Sequence, residues 1–317
     1  MSISVVYERC VRQKSVASTC RLCVDVCDYN ALEIDGAFIK TVLTNCTDCA
    51  ACLSVCPTGA TISGDDLSFG VEALFVVAVS RGEDYRFEVQ KNTAFGWQEI
   101  VDETNMLLSF ADLPQKILLS EVDNAGDTGD APVDGSKRAF LRMFSKDGIS
   151  EASKSLKTGK ELTGELDFSK LKAHFLPKKR FEFLSLVGNA GFFADTEARA
   201  SLSFATDKHI DETCDNCSLC YNLCPSGALE TTAMKNAVLF SPHLCLRCKL
   251  CEDVCEKKAI SSLQDFKIED FAKKPKKVLI KFRSRICHSC GAVFNGDTDE
   301  CPRCAKESED AMELLGL

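Results

Sequence analysis

Cys214-Asp215-Asn216-Cys217-Ser218-Leu219-Cys220-Tyr221-Asn222-Leu223-Cys224 carries three cysteines two residues apart and a fourth after three more, a C-x2-C-x2-C-x3-C run. The spacing returns at Cys245, Cys248, Cys251 and Cys255. Working outward, further cysteines fall at Cys10, Cys20, Cys23, Cys27, Cys46, Cys49, Cys52 and Cys56, and at Cys287, Cys290, Cys301 and Cys304. None lies from 57 to 213. Twenty cysteines in 317 residues would suit disulfides in a secreted protein. Here the N-terminus, MSISVVYERC, lacks a basic segment followed by an apolar one, and the spacing is that of metal sites. The cysteines therefore read as five groups of four in a cytoplasmic protein.

Residues 1–63 and 205–266 form two related modules, since Cys56-Pro57-Thr58-Gly59-Ala60 matches Cys224-Pro225-Ser226-Gly227-Ala228. Each module is itself a duplicated half-site. Both resemble the bacterial-type two-[4Fe–4S] ferredoxin family, a small α+β fold with pseudo-twofold symmetry. The resemblance spans about 120 residues and implies transfer of single electrons between neighbouring clusters. In that family the three close cysteines hold one cube and the fourth reaches across to the other. The resemblance thus implies one cluster on Cys214, Cys217, Cys220 and Cys255, and a second on Cys245, Cys248, Cys251 and Cys224.

The first module departs from the pattern, because Ala17 stands where the first cysteine of its first run belongs. Either Cys10 fills the place from upstream or one iron lacks a cysteine, as in a [3Fe–4S] centre or a substrate site. With Cys10 the sets are Cys10, Cys20, Cys23 and Cys56, then Cys46, Cys49, Cys52 and Cys27. The family's proline after the fourth cysteine is kept at Pro57 and Pro225 but replaced by Asp28 and Glu256. A carboxylate beside a cluster favours its oxidised form, so the two cubes of each module are expected to differ in potential.

Cys287-His288-Ser289-Cys290 and Cys301-Pro302-Arg303-Cys304 are two C-x2-C knuckles that suit one tetrahedral tetrathiolate metal. Zinc would make residues 286–317 a structural ribbon. A single iron would make them resemble the short rubredoxin-like domain of rubrerythrins. His288 is not needed as a ligand, since four cysteines fill the shell.

Residues 64–204 read as an α/β or α+β middle domain. Expected strands are Ala73–Val79, Tyr85–Gln90 and Lys116–Leu119, with a helix over Gln98–Phe110 whose apolar face holds Ile100, Met106, Leu107 and Phe110. Residues 123–132 read as a loop and 136–144 as an amphipathic helix capped by Ser136. Residues 267–285, with Lys273, Lys274, Lys276, Lys277, Lys281, Arg283 and Arg285, read as a basic linker marked by Pro275.

The formal charge is −9, and four oxidised clusters with one tetrathiolate metal would bring it to roughly −19. Such a charge argues against general nucleic-acid binding and favours a redox partner with a basic face. The longest apolar run, Ala73 to Val79, is too short to span a bilayer. Gly188-Asn189-Ala190-Gly191 is too short for a dinucleotide loop, and no H-E-x-x-H, G-x-S-x-G or radical-type C-x3-C-x2-C occurs. His174, His209 and His243 are isolated. No small-molecule substrate is expected. The resulting expectation is an electron carrier or electron-transfer subunit serving a larger oxidoreductase. An accessory or maturation factor is the rival, and a DNA-binding regulator a distant third.

Overall fold

The computed structural model describes residues 3–63, 69–90, 95–122, 174–296 and 298–315. It is an α+β protein built from small two- and three-stranded sheets and short helices. The loop and helix expected at 123–132 and 136–144 lie outside the described residues.

Each cysteine module repeats one plan. In the first, Ile3–Val5 pairs antiparallel with Thr61–Ser63, and Leu32–Asp35 pairs with Phe38–Thr41. In the second, Lys208–Ile210 pairs with Ile260–Ser262, and Leu229–Thr231 pairs with Ala237–Phe240. The second module gains a third strand, Lys277–Lys281, on the free edge of Ala237–Phe240. That strand falls in the stretch expected to be a linker. Its Val-Leu-Ile centre suits a strand, and the basic run is tied down by charge: Lys277 Nζ lies 2.5 Å from Asp207 and 2.7 Å from Asp270.

Among the described residues between the modules stand three helices, α1 (Val71–Arg81), α2 (Trp97–Phe110) and α3 (Lys178–Ala190). Tyr85–Gln90 and Ile117–Val122 are strands as expected, paired in parallel across α2. Ala73–Val79 is not a strand; it is the middle of α1. Its seven apolar residues show no helical period because nearly every side of α1 is buried, which hides the pattern. The end decides the matter: Gly82, at φ 69°, takes the left-handed conformation that closes a helix. On α2 the buried stripe is Trp97, Val101, Thr104, Leu107 and Leu108, while Ile100, Met106 and Phe110 lie at its margins. Thr104 can occupy the core because its hydroxyl donates to the Ile100 carbonyl at 2.7 Å.

The middle core is strongly aromatic. Phe183 packs edge-on against Phe75 and Phe271, with ring centres 5.3 and 5.0 Å apart. Phe266, Ile268 and Phe271 enter this core from beyond the second cysteine run, so it is not confined to residues 64–204.

Two consecutive buried cations open α3. The Lys179 ammonium donates to the Ser54 carbonyl at 3.1 Å, inside the first module's Ala51–Val55 helix. Arg180 pairs through Nε with Glu72 and donates to the carbonyls of His243 (2.8 Å), Cys245 (2.9 Å) and Phe204 (2.8 Å). Its guanidinium also lies over the Phe204 ring, 5.3 Å from its centre. Removing one member of such a buried pair strands the other. Arg180→Met should therefore cost about 3–5 kcal/mol in urea unfolding of anaerobically prepared protein, and adding Glu72→Leu should recover much of the loss. An unchanged midpoint for Arg180→Met would show that the pair carries no such weight.

Candidate metal centres

The cysteine loops share an unusual backbone. After the first cysteine of three of the runs, the second and fourth residues have positive φ: Asp48 and Ala50, Asn216 and Ser218, Arg247 and Lys249. Side chains other than glycine rarely adopt this conformation, and its recurrence folds each loop around a common point. The third residue after every fourth cysteine is also left-handed: Asn30, Gly59, Gly227 and Lys258. At Gly227 a side chain would meet the His174 ring about 3.1 Å away.

Four cavities each bring together four cysteines. One is lined by Cys10, Cys20, Cys23 and Cys56, another by Cys27, Cys46, Cys49 and Cys52. A third holds Cys214, Cys217, Cys220 and Cys255, and a fourth Cys224, Cys245, Cys248 and Cys251. Burial pushes most of these thiols above their ordinary pKa, Cys52, Cys220 and Cys251 to about 12. Negative charge on neighbouring sulfurs adds to the rise. Four crowded, desolvated sulfurs are stable as thiolates only against bound cationic metal, so the donor set fits an iron–sulfur cube.

On its N-terminal side Cys10 is set like a first cysteine. A 3-10 turn, Tyr7–Arg9, precedes it, as Leu43–Asn45 precedes Cys46 and Pro242–Leu244 precedes Cys245. Its N–H donates to the carbonyl three residues back at 2.9 Å, against 3.1 Å at Cys46 and 3.0 Å at Cys245. Its ψ of 126° matches 125° and 124° there. What differs is the length of chain before the next cysteine, residues 11–19 in place of two.

Those extra residues form the junction between the modules. Val11 is buried against Leu250 and Val254, with Cys20 and Cys248 at the edge of the same cluster. Thr19 donates its N–H to Asp253 at 2.8 Å and its hydroxyl at 3.0 Å. The cavity of Cys10, Cys20, Cys23 and Cys56 therefore abuts that of Cys224, Cys245, Cys248 and Cys251. These two cavities are the inner pair, and the other two lie outside them.

The last four cysteines make a different site. The sulfurs of Cys287, Cys290, Cys301 and Cys304 all lie within 4.8 Å of one another. Cys290 and Cys301 are 3.8 Å apart, and the edge of a tetrahedron with metal–sulfur bonds of about 2.3 Å is about 3.8 Å. One metal ion fits, and a cube does not. The Cys301 N–H donates to the Cys287 sulfur at 3.2 Å and helps pull that thiol down to about 6. The site hangs beside the second module's outer cavity: Asn216, within the 214–220 loop, and Asn295 both donate to the Lys235 carbonyl, at 2.7 and 3.5 Å.

Two family models, each described as a 4Fe-4S dicluster domain, match residues 18–60 and 206–260. Both regions are similar to 4Fe-4S dicluster domains. The first match begins after Cys10, which the three-dimensional arrangement sets beside Cys20, Cys23 and Cys56. No curated protein matches the chain. The two matches support ferredoxin-like iron–sulfur regions, and the separate group Cys287, Cys290, Cys301 and Cys304 has the geometry to hold one metal ion. No helix among the described residues is long and apolar enough to cross a membrane.

Cys301→Ser should remove one metal ion per chain and leave acid-labile sulfide unchanged, as read by elemental and sulfide analysis. A fall in sulfide would mean that this site holds a cluster.

Proposed function

We propose that the chain is an electron carrier or electron-transfer subunit that holds four [4Fe–4S] clusters in one row and serves a partner oxidoreductase in the cytoplasm. The observation that carries this reading is the junction of Val11, Leu250 and Val254, which sets the inner cavities of the two modules against each other. Ligands to the inner clusters are Cys10, Cys20, Cys23 and Cys56, then Cys245, Cys248, Cys251 and Cys224. Ligands to the outer ones are Cys46, Cys49, Cys52 and Cys27, then Cys214, Cys217, Cys220 and Cys255. Such clusters supply reversible one-electron chemistry when bound. The protein's part is to hold the ligands, keep water from the inner pair, and fix their separation. The tail site takes zinc in a structural role, with mononuclear iron as the alternative metal.

Two features of the ends support a docking partner with basic character. Beside one outer cavity stand the exposed side chains of Leu43 and Tyr29, bordered by exposed Asp28 and Asp48. At the other outer cavity Cys217 is itself exposed. Neither cavity leads to a nucleophile with an adjacent base, so a carrier accounts for the chain better than a self-contained catalyst.

Anaerobically purified protein should contain about sixteen iron and sixteen sulfide per chain, and one zinc. Cys10→Ala should convert or lose one cluster; four unchanged cubes in paramagnetic spectra would remove Cys10 from the ligand set. Val254→Asp should abolish the magnetic interaction between modules while leaving iron content unchanged. Spectra with no such interaction in the parent protein would overturn the single row.

A further inference from the structure

We propose that the row is graded in potential, its two inner clusters being easier to reduce than its two outer ones, so that electrons come to rest at the junction between modules. This inference rests on the four-cluster reading above and adds an order to it.

The fixed charge around the cavities divides the same way in both modules. The inner cavity of the first module is lined by one charged residue, Arg12, whose guanidinium donates to the Cys20 carbonyl at 3.1 Å. That of the second is lined by Lys208 and Lys249. Lys208 is almost wholly buried, and its ammonium is held by Glu252 at 2.5 Å and Ser262 at 2.7 Å. The first module's outer cavity has no charged residue in its lining, and the second's has Asp215 and Glu256 against Lys257. A reduced cluster carries one more negative charge than an oxidised one, so cations favour reduction and carboxylates oppose it.

Contacts to the sulfurs follow the same division. At the inner sites Thr58 Oγ1 lies 3.9 Å from the Cys56 sulfur and Ser226 Oγ 3.8 Å from that of Cys224. Against a thiolate each hydroxyl is the donor, and such weak donors raise a cluster's potential. A backbone N–H from four residues on is common to both kinds of site, Ala60 to the Cys56 sulfur at 3.1 Å and Ala31 to the outer Cys27 sulfur at 3.3 Å, so the hydroxyls make the difference. At the first module's outer site a carboxylate oxygen of Asp48 stands 3.7 Å from the Cys46 sulfur instead. Sequence marks the two kinds of site: Cys-Pro-Thr-Gly and Cys-Pro-Ser-Gly inside, Cys-Asp-Tyr-Asn and Cys-Glu-Lys-Lys outside.

Burial works in the opposite direction, since a desolvated cluster resists extra charge. The low dielectric that produces this resistance also strengthens the nearby cations and hydrogen bonds. Cations and hydroxyl donors meet at both inner sites, where Glu252 answers one of the two lysines, and a carboxylate stands near each outer one.

A potentiometric titration followed by electron paramagnetic resonance tests the order. The parent should show two higher and two lower midpoints. Thr58→Val and Lys208→Met should each move one higher midpoint downward, Lys208→Arg should restore it, and Asp48→Asn should move one lower midpoint upward. The grading is overturned by a single common midpoint, by Thr58→Val or Lys208→Met acting on a lower midpoint, or by Asp48→Asn acting on a higher one. Thr58→Val conserves shape, so it stands even where the lysine variant fails to fold. Iron and sulfide counts separate the two claims: a full complement with a flat or inverted order sinks the grading alone, whereas missing clusters sink the reading beneath it.

Discussion

Arg180 has donors enough to satisfy four acceptors, and the architecture hangs on its using them. A guanidinium shut away from water is tolerated only when its charge and its N–H groups are all engaged. Glu72 answers the charge, while the His243, Cys245 and Phe204 carbonyls fix the chain entering the second module's inner site. The preceding residue, Lys179, grips the Ser54 carbonyl inside the first module. One turn of helix thus holds both modules at once. The direct contact through Val11 and Thr19 is small, and it depends on this brace to keep its register.

Much of this was legible in the sequence, for a chemical reason. Cysteine spacing encodes loop geometry directly, so the four complete or nearly complete runs and the tail knuckles could be read off as donor sets. Each cavity is lined by one such group of four, and Cys10, which lies outside the family's pattern, lines the cavity of Cys20, Cys23 and Cys56. The middle was less legible. A helix buried on nearly all sides loses the alternation that marks it, so Ala73–Val79 read as a strand. A basic run beside a proline looks like a linker until its acidic partners, Asp207 and Asp270, are brought from distant positions. Nothing local announced that Arg180 and Lys179 would be buried, because their partners lie 108 and 125 residues away.

The first module has little apolar core of its own, less than the second with its Ile210, Leu229, Val238, Phe240 and Ile260. Ile3, Leu32, Ile39 and Leu53, with Cys52, make up the buried centre of the first, and cysteines fill much of its margin. The aromatic core of Phe75, Phe183, Phe266 and Phe271 is larger and contains no cysteine. Of these regions the middle draws most on apolar burial for its stability, and the first module least.

The lengthened loop between Cys10 and Cys20 has a consequence for assembly. Two copies of a duplicated module that met through equivalent loops would present self-complementary faces, and such faces join chain to chain as readily as module to module. Here the extra residues occur in one copy only, and Val11 and Thr19 meet Leu250 and Asp253 of the other. The contact is heterologous yet closes within a single chain. Duplication has given this protein two modules that meet through non-equivalent surfaces.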